Sequence, residues 1–262
     1  MSETIINIYQ QLGMKKSSII LSILVSILFA CDKLDSIANG SEETTTKEVE
    51  NELIQKTYHS NGNLMTLVEL DSSKKFHGEA KKFYENGILK SVTLYDHGTI
   101  TDAKQYFENG QLSMHFQYKD GVKHGRRLKY WENGQLQSEL SYFNGEPQKG
   151  LVEYKQSGEK ITKYPRLIVQ QHDKLASNGT YQLEAYFSSN PQRGTYYKTQ
   201  LVNGTVPRFA DKFDRSGKHG IYTYRPAPGQ FIMEKAHVVG KFMTAYNNVL
   251  IVEKTVNVAI DY

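Results

Sequence analysis

Apolar and polar residues alternate along most of this chain with a period of two, and the alternation is cut at regular intervals by Asn-Gly or Asp-Gly pairs. Counting from the glycine of "YFENGQL", positions +2, +4, +6 and +8 read Leu112, Met114, Phe116 and Tyr118, with Ser113, His115 and Gln117 between them. The next copy reads Leu136, Ser138, Leu140 and Tyr142, and the preceding one Leu89, Ser91, Thr93 and Tyr95. Such alternation places one side of an extended strand against a core and the other toward water. The reference glycines are Gly62, Gly87, Gly110, Gly134 and Gly158, spaced by 25, 23, 24 and 24 residues. A second glycine follows three of them by 11 residues, at Gly98, Gly121 and Gly145. The chain therefore reverses about every twelve residues, and the spacing predicts short antiparallel hairpins with type I′ turns at the Asn-Gly pairs.

A repeat of this size cannot bury its own apolar side, so the copies must stack into one sheet. Position −4 is aromatic throughout (Tyr58, Phe83, Tyr106, Tyr130, Tyr154) and is expected in the core. Position −3 holds His59, Tyr84, Phe107 and Trp131, then Lys155, and alternation directs it to the opposite side. Large aromatics on an outward face either pack along the ladder or await a partner. His59, Tyr84, Phe107 and Trp131 are the candidate partner-binding residues.

The segments "YENGILKS", "YFENGQLSMHFQYKDGVKHG" and "YWENGQLQSELSYFNGEPQKG" resemble the MORN-repeat variant of YwqK-type antitoxins, over about residues 56–163. The resemblance implies a protein that binds and neutralises a toxin.

Beyond Pro165 the Asn-Gly rhythm ends, but strand-like segments continue, among them "RLIVQQ", "GTYQLEAYF", "GTYYKTQLV", "QFIMEKAHVVGKFM" and "NVLIVEKTVNVAIDY". Their spacing predicts an antiparallel β-sandwich over 165–262. "HGIYTYRP", with a tyrosine just after a turn glycine, resembles an immunoglobulin-like domain. The fold class expected is all-β: a hairpin-repeat sheet over 56–164, then a sandwich.

The first 30 residues read differently. "MKKSSIILSILVSILFAC" has two lysines, an apolar run from Ile19 to Ala30, and the only cysteine, Cys31, directly after it. The run is short for a bilayer span and fits a cleaved export signal. "LFAC" resembles the lipobox of bacterial lipoproteins, which implies lipidation of Cys31, and Met14 is the expected start. Residues 31–55 carry seven carboxylates against Lys33 and Lys47, the composition of a flexible acidic tether, with a short helix expected over 46–55. The expected location is the bacterial cell envelope, lipid-anchored and outside the cytoplasm, at the outer membrane or cell surface.

Composition narrows the function. Residues 56–262 hold 28 Lys/Arg against 20 Asp/Glu, a net +8 with no basic cluster, which argues against a nucleic-acid surface. The eight histidines show no pair at ligand spacing, and Asp214, Ser216 and His219 read as a hairpin rather than a triad. Glu85, Glu108 and Glu132 recur with the repeat and read as exposed loop residues. No catalytic residue, metal or cofactor is expected. The expectation is a non-enzymatic tethered protein that binds a protein partner, a toxin or an envelope protein, through the repeat sheet. The alternative is a carbohydrate-binding or adhesive module acting through the sandwich.

Overall fold

The computed structural model describes residues 53–189 and 194–262. The export signal, Cys31, the tether and the expected helix up to residue 52 lie outside the described residues. Residues 54 and 55, assigned above to that helix, begin the first strand instead.

The repeats form one antiparallel sheet in which each strand pairs with the next. It runs β1 (Ile54–Tyr58), β2 (Leu64–Leu70), β3 (Phe76–Phe83), β4 (Leu89–Asp96), β5 (Thr99–Tyr106), β6 (Leu112–Lys119), β7 (Val122–Tyr130) and β8 (Leu136–Phe143). Two short strands, β9 (Glu146–Pro147) and β10 (Val152–Glu153), both pair with β8.

The two kinds of turn divide the work, and here the sequence expectation needs correction. At His97-Gly98, Asp120-Gly121 and Asn144-Gly145 both residues have positive φ, as a type I′ turn requires. At the Asn-Gly loops of the reference glycines Gly62, Gly87, Gly110 and Gly134 only the glycine does: Gly87 has φ 84° and Asn86 stays in the ordinary region. There Gly87 N–H donates to Tyr84 O and Tyr84 N–H to Ile88 O, which is a type I turn closed by a glycine bulge. The same two bonds recur at His59, Phe107, Trp131 and Lys155.

The reason is the asparagine side chain. Its Oδ1 accepts the N–H of the residue after the glycine, from Asn63, Ile88, Gln111 and Gln135 in the four loops. In three loops its Nδ2 reaches the next repeat: Asn61 to Glu85 O, Asn109 to Glu132 O and Asn133 to Gln156 O. One side chain thus shapes its own loop and ties it to the following one. Glu85, Glu108 and Glu132 remain exposed, and Glu85 and Glu132 take part through their carbonyls alone.

The second half is a sandwich of two four-stranded sheets. One has the order β11-β12-β16-β15 and the other β14-β13-β17-β18. These strands are β11 (Leu167–Lys174), β12 (Thr180–Phe187), β13 (Thr195–Lys198), β14 (Asp211–Lys212), β15 (Asp214–Ser216), β16 (His219–Tyr224), β17 (Phe231–Met243) and β18 (Val249–Asp261). A four-residue helix, α1 (Leu175–Asn178), links β11 to β12. Lettered in chain order, the strands fall as A-B-E-D opposite C′-C-F-G, which is the immunoglobulin arrangement. Strand order carries that likeness. "HGIYTY" forms the fifth of the A–G strands (β16), and with one cysteine in the chain the inter-sheet disulfide of antibody domains has no counterpart.

Leu183, Ala185 and Phe187 of β12 meet Val238 and Phe242 of β17 and Val258 and Ile260 of β18 in one buried cluster. The sheets approach closely at Gly240, where an added Cβ would stand 2.6 Å from Phe187 Cζ.

Turn chemistry yields a paired test. Replacing Asn144 by Gly keeps a left-handed turn residue and is expected to change stability by less than about 0.5 kcal/mol. Replacing Asn133 by Gly removes two hydrogen bonds and is expected to cost about 1–2 kcal/mol in urea unfolding. Equal effects would contradict the two-turn description.

Candidate functional site

Register places residues from successive strands in continuous rows. One runs Val68, Ala80, Thr93, Ala103, Phe116, Arg127, Leu140 across seven strands, each the Cα partner of the next. Beside it runs Thr66, Lys82, Ser91, Gln105, Met114, Lys129, Ser138, Glu153. Both rows lie on the same side of the sheet. The opposite side carries Lys81, Lys104, His115 and Glu139, with ion pairs Lys81–Glu79, His115–Asp102 and Arg126–Glu139.

The rows begin in the open and end beneath the sandwich. Arg127, Ser138, Leu140 and Glu153 are buried, and Leu140 and Leu151 belong to the sandwich core cluster. From Leu53 to Arg126, by contrast, Leu70 alone is buried. Ala80, Thr93, Ala103, Met114 and Phe116 are half-buried, held by in-sheet neighbours with no second layer over them among the described residues. Tyr95 and Tyr118 flank these rows, and Lys123 Nζ sits 4.3 Å from the Phe116 ring centroid. Position −4 is correspondingly less deep than expected: Phe83, Tyr106, Tyr130 and Tyr154 are half-buried and Tyr58 is 58% exposed.

What covers the buried end is the turn between β17 and β18. Asn248, fully buried, accepts from Arg127 Nη2 and donates from Nδ2 to Glu153 Oε1 at 2.6 Å. Thr244 Oγ1 donates to the same carboxylate oxygen, and Ser138 Oγ donates to Asn248 Oδ1. An amide with a donor and an acceptor is the side chain that can relay between a buried cation and a buried anion. Burial pulls the Arg127 guanidinium below its usual range, but a group of that basicity stays charged. Burial, with Glu153 nearby, pushes the Tyr164 phenol up to about 12. Around this centre Lys129 Nζ donates to Tyr246 O, Lys149 Nζ pairs with Glu253, and Gln148 Nε2 donates to Asn203 O.

The four sequence candidates at position −3 do not form a free ridge. Beside each aromatic at −4 on β1, β3, β5 and β7 the partner strand carries one extra residue (Met65, Lys90, Ser113, Gln137), a bulge that interrupts strict pairing. His59 Nε2 lies 3.0 Å from Phe83 O, Tyr84 OH donates to Tyr106 O at 2.8 Å, and Trp131 Nε1 to Tyr154 O at 3.2 Å. Each polar tip is thus spent on the backbone of the next repeat, forming a spine. Trp131 also meets the Tyr246 ring edge-on at 5.1 Å. Phe107, with no polar atom, is half-buried in the same spine. The Asp214–Ser216–His219 stretch is the expected hairpin, with Ser216 paired to His219 and the His219 ring turned to Glu184.

Sequence reasoning missed two groups. Asn248 lies 121 positions from Arg127 and nothing local marks it. His77, Asp96 and His97 also come together, at the turn end of β3 and β4. The faint signal was the "HG" pair recurring at 77–78 and 97–98, in repeat frames that fold back on each other.

Residues 76–97, 102–120 and 123–144 match the MORN repeat variant. Repeats of this kind are often involved in protein or membrane binding. No curated protein matches the chain.

Replacing Asn248 by Ala strands Arg127 and Glu153 in a buried site. It is expected to cost about 3 kcal/mol and lower Tm by about 6–12 °C in calorimetry. Trp131→Ala should destabilise by about 2 kcal/mol through lost spine packing. A stability change below about 0.5 kcal/mol in either would contradict the assigned role.

Proposed function

We propose that this is a non-enzymatic binding protein, held at a membrane of the bacterial envelope by a lipid on Cys31, that grips a protein partner with the open side of its repeat sheet. The observation that carries the reading is the pair of rows that pass from under the sandwich into the open. At their buried end they accept a turn bearing Thr244, Tyr246 and Asn248; at their open end they offer the same kind of surface uncovered. An apolar row flanked by tyrosines and lysines supplies contact area with a polar rim, as protein interfaces require.

Tyr84 and Phe107, at the loop border of the open strands, are proposed as rim contacts. Trp131, which also meets Tyr246, and His59 at the first loop are proposed as supports for that rim. The repeat resemblance favours a toxin as the partner, neutralised by occlusion and, for an exported protein, met outside the cytoplasm. The acidic tether after Cys31 gives the sheet reach from the lipid.

The test uses the full-length protein in detergent as bait for envelope and secreted fractions. The double variant Thr93→Lys/Ala103→Glu places two charges in the open row, while Lys254→Glu on β18 serves as a control. The reading expects one stoichiometric protein partner, retained by the control and weakened at least about 10-fold by the double variant, with Tm little changed. A partner held equally well by the double variant would overturn the assigned face. Recovery of polysaccharide alone would move the function to the sandwich. Mass spectrometry of the mature protein should show an acylated Cys31 at its N-terminus; an unmodified Cys31 would remove the anchor.

A further inference from the structure

We propose that the turn end of the second repeat binds a divalent transition-metal ion of the zinc class, with His77, Asp96 and His97 as ligands and Asp71 supporting His97. His77 comes from β3, Asp96 from the end of β4 and His97 from the β4–β5 turn, while Asp71 comes from the β2–β3 turn. One donor atom from each ligand lies within 4.8 Å of the other two. Asp96 Oδ1 stands 3.6 Å from His77 Nδ1 and 3.8 Å from His97 Nε2. Around a tetrahedral ion with bonds of about 2.0–2.2 Å, donor atoms stand roughly 3.3 Å apart. All three side chains are exposed, so the closure needed is a matter of side-chain rotation.

The protonation pattern suits the task. His97 Nδ1 lies 2.7 Å from Asp71 Oδ2, and a carboxylate there accepts a hydrogen bond from Nδ1–H, which leaves the ring's lone pair on Nε2, 3.8 Å from Asp96 Oδ1. Asp71 is built for this: its side chain is 10% exposed, and its Oδ1 accepts backbone N–H from Ser73 and Lys75, both at 2.9 Å. His77 Nδ1 accepts the His97 backbone N–H at 3.3 Å, which places the lone pair on that nitrogen, and an ion bound there would take the place of this long bond. Carboxylate, imidazole and ion in series is the arrangement that fixes a ligating histidine.

The chain contains its own comparison. Two repeats later the same scaffold places His124 against Phe143, rings 5.2 Å apart, with Asn144 at the left-handed turn position. That version packs a ring on a ring. In the earlier repeat the two imidazoles stack at 4.5 Å with Asp96 beside them, and the turn alone asks for no histidine, since Asp120 and Asn144 hold the same conformation elsewhere. An ion here would bolt the β2–β3 turn to the β4–β5 turn at the end opposite the asparagine loops. Three protein ligands leave a position for water or for a donor from a bound partner.

The full-length untagged protein, stripped with EDTA, would be titrated with ZnCl₂ by calorimetry, with Tm followed in parallel. One Zn²⁺ per chain is expected to bind below about 100 μM and to raise Tm. His97→Asn retains a residue that already holds this turn as Asn144, and should lose binding at least about 10-fold with an unchanged Tm in EDTA. Asp71→Asn should weaken binding by roughly 10-fold without abolishing it. Stoichiometric binding unaltered in both His97→Asn and His77→Gln would overturn the site, as would no saturable uptake by the wild type up to about 1 mM.

Discussion

A β-sheet one layer thick needs something over its apolar side, and the buried Arg127–Asn248–Glu153 relay is where this protein supplies it. Arg127 and Glu153 belong to the repeat sheet and Asn248 to the sandwich. Neither charge could be buried alone, because an unpaired ion in such a place costs several kcal/mol. The relay therefore sets how the β17–β18 turn seats on β7, β8 and β10, and with it where cover ends. Strands β2 to β6 keep the same rows without the cover, and that open stretch is the face proposed above for a partner.

Within the repeat array the stabilising devices are small and repeated. Each asparagine closes its loop, and in three loops it also bonds to the next; three of the four residues at −3 place a polar tip on the next repeat's carbonyl. Individually these bonds contribute about 1 kcal/mol each. Their value lies in nearest-neighbour coupling, which lets a sheet with little core hold its register from the covered end toward the open one. The two turn classes serve the two ends: asparagine loops stitch one border, and type I′ turns hold the other, where Gly98 N–H reaches Phe76 O and Gly145 N–H reaches Lys123 O.

The two ends also separate the two binding proposals. The open rows run across the strands, whereas His77, Asp96 and His97 sit at the turn border of β3 and β4. A protein contacting the rows near Tyr95 would come within reach of that border, where the proposed ion keeps a position open for an outside donor.

The period-two pattern and the spaced glycines by themselves determined an all-β chain, the hairpin array and its repeat length, and the turn signals after Pro165 determined a run of short strands. These are local matters: alternation and positive φ are properties of a few neighbouring residues. The turn type at the asparagine loops was not legible from the Asn-Gly pair alone, because the pair serves both turn classes and the asparagine Oδ1 bond to the N–H two residues on selects one of them. Strand order in the sandwich, the seat of Asn248, the inward use of Trp131 and the meeting of His77 with His97 were decided only by tertiary structure. Each depends on residues 20 to 121 positions apart, and a period read along the chain records which side a residue faces, not what arrives to cover it.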